Sequence, residues 1–305
     1  MNLHEDKKLF EQAILATAQA KNIPTSIVEK DYHVTFLLKE LIRRNPLIIF
    51  KGGTSLSKCY HAINRFSEDI DLSCDHGETP LTEGMRRNFN QTILDGIAQC
   101  CYQFENPDEI KRRRLFNRFV LSYAPVFPVM VNIKAKLVIE TAIAIRSFPH
   151  EKRNVISLIG EYLIESGMNE LLEQYSLQPF AVEVQTPDRT FIDKVFAICD
   201  YWLTGKIREH SRHLYDLCKL YPLLKTDQKF CVLVEEVRQI RSQTKMCPSA
   251  QQECNISQIL KEIDETDAYK SDYENITQDL LFESYPYEKA KKILHTIIQL
   301  NIFEQ

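Results

Sequence analysis

Asp69 and Asp71 stand two residues apart in Phe66-Ser67-Glu68-Asp69-Ile70-Asp71-Leu72. The segment alternates in polarity and predicts a strand, on which residues two apart share a face. Ser67, Asp69 and Asp71 then point one way, with Ile70 and Leu72 in the core. Two carboxylates about 7 Å apart along such a strand can share a hard divalent cation. Magnesium takes oxygen ligands and completes its shell with water and substrate phosphates. The same pair could clamp two ions about 4 Å apart. A solvated strand face would carry the same pattern.

Fifteen residues upstream lies Lys51-Gly52-Gly53-Thr54-Ser55-Leu56, a turn after the apolar run Leu47–Phe50. Glycines allow a sharp turn and close approach to a ligand. A following helix start would offer N–H groups to phosphate, with the Thr54 and Ser55 hydroxyls nearby. The pattern is neither the P-loop nor the dinucleotide fingerprint, and an ordinary strand–helix turn is the other reading. A phosphate cradle beside a carboxylate pair is what phosphoryl or nucleotidyl transfer requires.

Glu140 ends the apolar run Ala135–Ile139 and is the candidate third carboxylate. It converges with the aspartates if its strand lies beside theirs. Otherwise it is a glutamate facing water. Lys194 falls at the edge of the stripe Phe191, Val195, Ile198 and Trp202, where an ammonium can reach a pocket or simply snorkel. Arg212 and Asp216 are four apart on a helix. They suit a surface ion pair, or Asp216 holds Lys194 or a substrate group. His213 has no evident partner. Lys111-Arg112-Arg113-Arg114 is the densest basic run, suited to an RNA backbone or to solvent.

These residues need elements to position them. Helices are predicted over 4–20 and from Ser26 to about Arg44, the latter opened by a Ser26/Glu29 capping box. Asn45-Pro46 ends it. A strand over Leu47–Phe50, a short helix from Thr54 to His61, the Phe66–Leu72 strand and a helix over 82–99 follow. Leu115–Tyr123 and Ile133–Ile139 read as antiparallel neighbours. Phe180–Gln185 is a further strand. Thr186-Pro187 starts a helix as N-cap and first helical residue, and Gly205 closes it after Leu203. Helices over 211–221 and through much of 226–305 complete the chain. The fold class is α/β (α+β), a small mixed sheet flanked by helices with a mainly helical C-terminal half. The expected domains are 1–150, the core with its N-terminal helices, and 151–305, mainly helical and contributing Lys194 and Asp216.

The chain has 305 residues, with 44% hydrophobic and 26% charged residues, which is globular rather than disordered in character. A net charge of -4 argues against coating nucleic acid by charge alone, while leaving room for a local basic groove. Nine cysteines without a CxxC pair read as buried thiols in a reducing compartment. The N-terminus has no apolar signal core and no run approaches a membrane span, so a cytoplasmic protein is expected.

The ordered motifs resemble the abortive-infection nucleotidyltransferase toxins of the AbiEii/AbiGii family. Lys51–Leu56 with Arg65–Leu72 resembles the nucleotide-binding and aspartate motifs, and Thr186–Lys194 the later lysine motif. Ser211–Leu217 resembles the final arginine–aspartate motif, and Val28-Glu29-Lys30-Asp31-Tyr32 the N-terminal helix. The likeness covers roughly residues 20–225. It implies that Gly52, Gly53, Thr54 and Ser55 form the nucleotide-binding turn with Ser67 beside the phosphates. It implies Asp69, Asp71 and Glu140 as metal ligands, and Lys194 and Asp216 as further active residues. It further implies a magnesium or manganese ion, a nucleoside triphosphate (NTP) substrate, an RNA acceptor such as transfer RNA, and a separate antitoxin, with a role in antiviral defence. A same-fold transferase with a protein or small-molecule acceptor, and a non-catalytic nucleotide-binding protein, are the alternatives.

Overall fold

The computed structural model describes residues 2–128 and 135–303. The expected strand start at Ile133 lies outside these. The chain divides into two compact units, each discontinuous in sequence. One contains Met1–Thr54, Glu68–Ile143 and His150–Val184, and the other Ser55–Ser67, Ala144–Pro149 and Gln185–Gln305.

The first unit begins with α1 (Lys7–Lys21) and α2 (Thr25–Arg44). The α2 N-cap is Pro24, without a side-chain cap, so the expected Ser26/Glu29 box does not form. Both residues lie inside the helix and are buried. The Glu29 carboxylate instead accepts the Val126 and Phe127 N–H groups at 2.6 and 3.2 Å. The reason is tertiary: α2 is enclosed, so its polar residues must find partners far away in sequence. Phe10, Ile14, Val28 and Tyr32 of α1 and α2 pack with Ile159 and Leu163, which belong to α5 (Leu158–Glu165).

Among the described residues the sheet has seven strands: β1 (Ile48–Lys51), β2 (Ile70–Cys74), β3 (Gln103–Phe104), β4 (Phe116–Ser122), β5 (Lys136–Ala142), β6 (His150–Val155) and β7 (Phe180–Gln185). Their order is β3-β4-β5-β2-β1-β7-β6. β1 runs antiparallel to β2 and parallel to β7, while β2 runs parallel to β5. β4 and β5 pair antiparallel, as the short link between the two segments predicts. Alternation sorts the faces. Ile70, Leu72, Phe119, Leu121, Leu137 and Ile139 are buried, while Asp71, Glu140 and Arg118 alternate with them on the opposite face. Helices α3 (Gly52–Lys58) and α4 (Glu83–Gln99) follow β1 and β2.

The second unit is helical. α7 (Pro187–Leu203) is capped by Thr186 with Pro187 at its first position, as its sequence predicts. Gly205 follows at φ +66°, a conformation that favours glycine at a helix end. α7 packs on α8 (Arg212–Leu220) through Phe191, Val195, Ile198, Leu214 and Leu217. α9 (Gln228–Ser242), α10 (Ile256–Glu265) and α12 (Tyr287–Gln299) enclose the same core, while α11 (Lys270–Asp272) is one turn. The short α6 (Asn169–Gln174) belongs to the first unit. Among the described residues no helix is long and apolar enough to cross a membrane. The protein is therefore a mixed α/β fold with flanking helices and a helical C-terminal half.

Candidate functional site

The register of the sheet aligns four charged residues. Lys51 on β1 pairs with Asp71 on β2, Asp71 with Glu140 on β5, and Glu140 with Arg118 on β4. Residues directly opposite across a ladder share a face. Glu140 and Asp71 are thus on adjacent strands, about 5 Å apart at the backbone. Arg118 Nε lies 3.2 Å from Glu140 Oε1.

Asp69 stands one residue before β2, which begins at Ile70 rather than Phe66. Ser67, Glu68 and Asp69 therefore precede the strand. Side chains of α3 and α2 hold this stretch. Thr54 Oγ1 donates to the Asp69 carbonyl at 2.6 Å. The buried Lys30 ammonium of α2 pairs with the Glu68 carboxylate. The Thr54 hydroxyl thus anchors the aspartate backbone, and Ser55 is also fully buried. Ser55 and Ser67 bound the second unit's segment Ser55–Ser67.

Gly52 is the first residue of α3, so the expected turn is already the helix start. Its φ is +76°, and a Cβ built on it would lie 1.9 Å from Asp71 Oδ2 and 3.0 Å from Asp71 Cβ. The Asp71 carboxylate therefore packs directly on the Gly52 Cα, in space only glycine leaves open. Gly53 follows and is buried.

Hard oxygen donors held against a glycine cradle suit magnesium or manganese, which proteins commonly bind through one or two carboxylates plus substrate phosphates. Among the described residues no three His, Cys, Asp or Glu side chains form a ready-made metal cage.

The second unit holds Lys194 and Asp216. Asp216 is fully buried on α8. The Arg65 guanidinium grips it bidentately, Nε to Oδ1 at 2.6 Å and Nη2 to Oδ2 at 2.7 Å. Lys194 Nζ donates to Oδ2 at 2.5 Å. The surface Arg212–Asp216 pair expected from helical spacing gives way to these two partners, because the Asp216 side of α8 is enclosed. Asp216 instead holds Lys194. Burial alone would raise the Asp216 pKa, but the Arg65 and Lys194 charges outweigh it and hold the carboxyl well below its usual range. Burial lowers the Lys194 pKa, Asp216 opposes that, and Arg65 adds to it. His213 lies beside Lys194 at 3.4 Å and stacks with Tyr201 and His210.

Sequence reasoning passed over Lys51, Arg65 and Arg118 as site residues, and gave Lys30 no role beyond its motif. Lys51 and Arg65 lie inside the quoted motifs, which was their signal. Arg118 and the Lys30–Glu68 pairing carry none, since both depend on contacts distant in sequence. The C-terminal region also acquires a role. Phe66 N–H donates to Leu280 O at 2.8 Å and Phe282 N–H to Asn64 O at 3.0 Å. Tyr215 adds its hydroxyl, which accepts the Asn64 N–H at 3.0 Å and donates to Glu283.

No curated protein matches the chain in sequence. Among solved structures it is similar to MenT4, a nucleotidyltransferase toxin from Mycobacterium tuberculosis H37Rv. The identity is 14% and the TM-score 0.53, over 96% of this chain and 94% of that one. That likeness concerns the fold. A family model described as "Nucleotidyl transferase AbiEii toxin, Type IV TA system" matches residues 37–293. The match continues well past residue 225, taking in the segment that bonds to Asn64 and Phe66. With the motifs from Lys51 to Leu217 and most of its length inside that model, the chain belongs to the AbiEii nucleotidyl transferase toxin family.

Proposed function

We propose that the protein transfers a nucleoside monophosphate from an NTP to a hydroxyl of an RNA acceptor, as the toxin of a pair whose antitoxin is a separate chain. The observation that carries this reading is the Asp71 carboxylate, packed on Gly52 and in register with Glu140. A helix-start glycine and two carboxylates on neighbouring strands are thereby set at one level of the sheet.

A magnesium or manganese ion on Asp69, Asp71 and Glu140 would supply charge neutralisation at the phosphates. Asp71 keeps its place because Gly52 leaves room for it. Thr54 and Lys30 fix the backbone and flank of Asp69. The acceptor oxygen bonds to the α-phosphorus as the bond to the pyrophosphate oxygen breaks. Glu140 takes the acceptor proton, with Arg118 orienting its carboxylate, and pyrophosphate carries away the displaced electron pair. In the second unit, Arg65 grips Asp216, and Asp216 fixes the Lys194 ammonium.

The test is incorporation of each of four labelled NTPs into total RNA, with and without magnesium, by wild type and by Asp69→Ala/Asp71→Ala. Magnesium-dependent labelling by wild type, lost in the double variant, is expected. Equal labelling by both proteins would sink the mechanism. Label on protein or a small molecule would redirect the acceptor, and binding without turnover would favour a nucleotide-binding protein.

A further inference from the structure

The basic run Lys111–Arg114 has no part in the chemistry above, yet the first unit devotes buried polar groups to holding it. All four residues are exposed and lie in a loop before β4. Beneath them sit Asn90 of α4 and Asn117 of β4, 0% and 3% exposed. Asn90 Nδ2 donates to the Arg112 carbonyl at 3.0 Å and the Arg114 carbonyl at 3.1 Å, as well as to Arg86 O. Asn117 accepts the Lys111 N–H at 3.1 Å and donates to the Lys111 carbonyl at 3.2 Å. The two amides join, Asn117 Nδ2 donating to Asn90 Oδ1 at 3.1 Å. Thr141, beside Glu140, donates to the same oxygen at 3.3 Å.

A loop that only had to be soluble would need none of this. Burying two amides costs free energy unless each is bonded, and a fully satisfied network specifies one conformation. Here the conformation specified is that of a backbone carrying four consecutive cations. Pinning the backbone beforehand removes part of the ordering cost of binding.

The loop is also placed with respect to the carboxylates. Ile143 N–H donates to Leu115 O at 2.9 Å. Leu115 is thus opposite a residue three beyond Glu140, roughly 10 Å along the strand. Arg118 of β4, four residues after Arg114, pairs with Glu140 itself. Arg113 is partly offset by Glu83 at 2.9 Å. Lys111 and Arg114 reach back to the Asp108 and Glu109 carbonyls, which leaves their charge uncancelled there.

We propose that Lys111–Arg114 is a pre-ordered docking platform for the phosphodiester backbone of the acceptor RNA, holding the strand while its hydroxyl lies at the carboxylate row. This rests on the transferase reading for the identity of the strand. Arginine forks match phosphate oxygens, and such contacts position a strand without reading its sequence.

The experiment is fluorescence anisotropy of a labelled single-stranded RNA titrated with the full-length protein across a range of salt. Wild type is compared with Lys111→Gln/Arg112→Gln/Arg113→Gln/Arg114→Gln, and DNA of the same sequence forms a second arm. Exposed substitutions of this kind leave folding nearly unchanged. The expected result is at least a tenfold loss of RNA affinity near 0.1 M salt. The slope of log affinity against log salt should flatten by about 0.7 for each phosphate contact removed. Asp69→Asn/Asp71→Asn should still bind RNA. Unchanged affinity and slope in the quadruple variant would overturn the platform, as would no RNA binding by wild type. Equal binding of DNA would keep the platform and leave discrimination to the reacting hydroxyl. If wild type binds through the loop but incorporates no nucleotide, the transferase reading fails while the platform stands.

Discussion

Replacing Gly52 with alanine tests the central geometry most directly. Two penalties act at that position and can be separated. The first is backbone strain. An L-residue in the left-handed region costs about 1–2 kcal/mol. Gly167 and Gly205 have the same sign of φ, at +70° and +66°, with nothing within 4 Å of a built Cβ. Gly167→Ala and Gly205→Ala therefore measure strain alone. The second penalty belongs to Gly52. Its new methyl would lie 1.9 Å from Asp71 Oδ2, so one group must move by about 1.1 Å to reach even the 3.0 Å limit. Turning the Asp71 side chain alone is not enough, because Asp71 Cβ is itself only 3.0 Å away. Such overpacking adds about 1–3 kcal/mol, so Gly52→Ala should cost about 2–5 kcal/mol against about 1–2 for the controls. The functional effect follows from displacement. A catalytic group misplaced by about 1 Å costs on the order of 100-fold in rate, or about 2.7 kcal/mol of barrier. Single-turnover incorporation of labelled NTP, with urea denaturation of each variant, reads both effects. A folded Gly52→Ala protein with near-wild-type turnover would refute the claim that this contact positions Asp71.

Two further predictions follow from buried charge. Asp216→Asn leaves Arg65 and Lys194 buried with a neutral partner and should cost about 3–5 kcal/mol, measured by denaturation at neutral pH. Because the folded Asp216 pKa is depressed, its stabilisation is present above the ordinary carboxylate pKa. It is lost only as pH falls below that range, so wild type and variant should converge there. His33, 4% exposed with Nδ1 2.9 Å from the Tyr102 hydroxyl, has its pKa lowered to about 3 by burial, with His4 adding to the shift. The unfolded histidine takes up a proton near pH 6.5 and the folded one does not until about pH 3, so stability falls as pH drops through that window. The slope is at most about 1.4 kcal/mol per pH unit. His33→Asn should lessen the loss between pH 7 and pH 5, and an unchanged slope would show that His33 does not carry it.

Local rules made much of the molecule legible. Thr186-Pro187 marked the start of α7 because capping and proline geometry act within one turn. Alternation placed Ile70 and Leu72 in the core opposite Asp71, and put Leu137 and Ile139 opposite Glu140, because strand periodicity is local too. The order of motifs pointed to the family. Where polar residues would find partners was decided only by the tertiary structure. Glu29 left its expected capping box for the Val126 and Phe127 amides, and Asp216 took Arg65, 151 residues away, and Lys194 rather than Arg212. The Asp71–Glu140 register and the fit of Asp71 on Gly52 are likewise long-range facts. Enclosure forces a buried charge or amide to bond whatever the packed elements bring to it, and which elements pack is settled by the whole chain rather than by its neighbours in sequence.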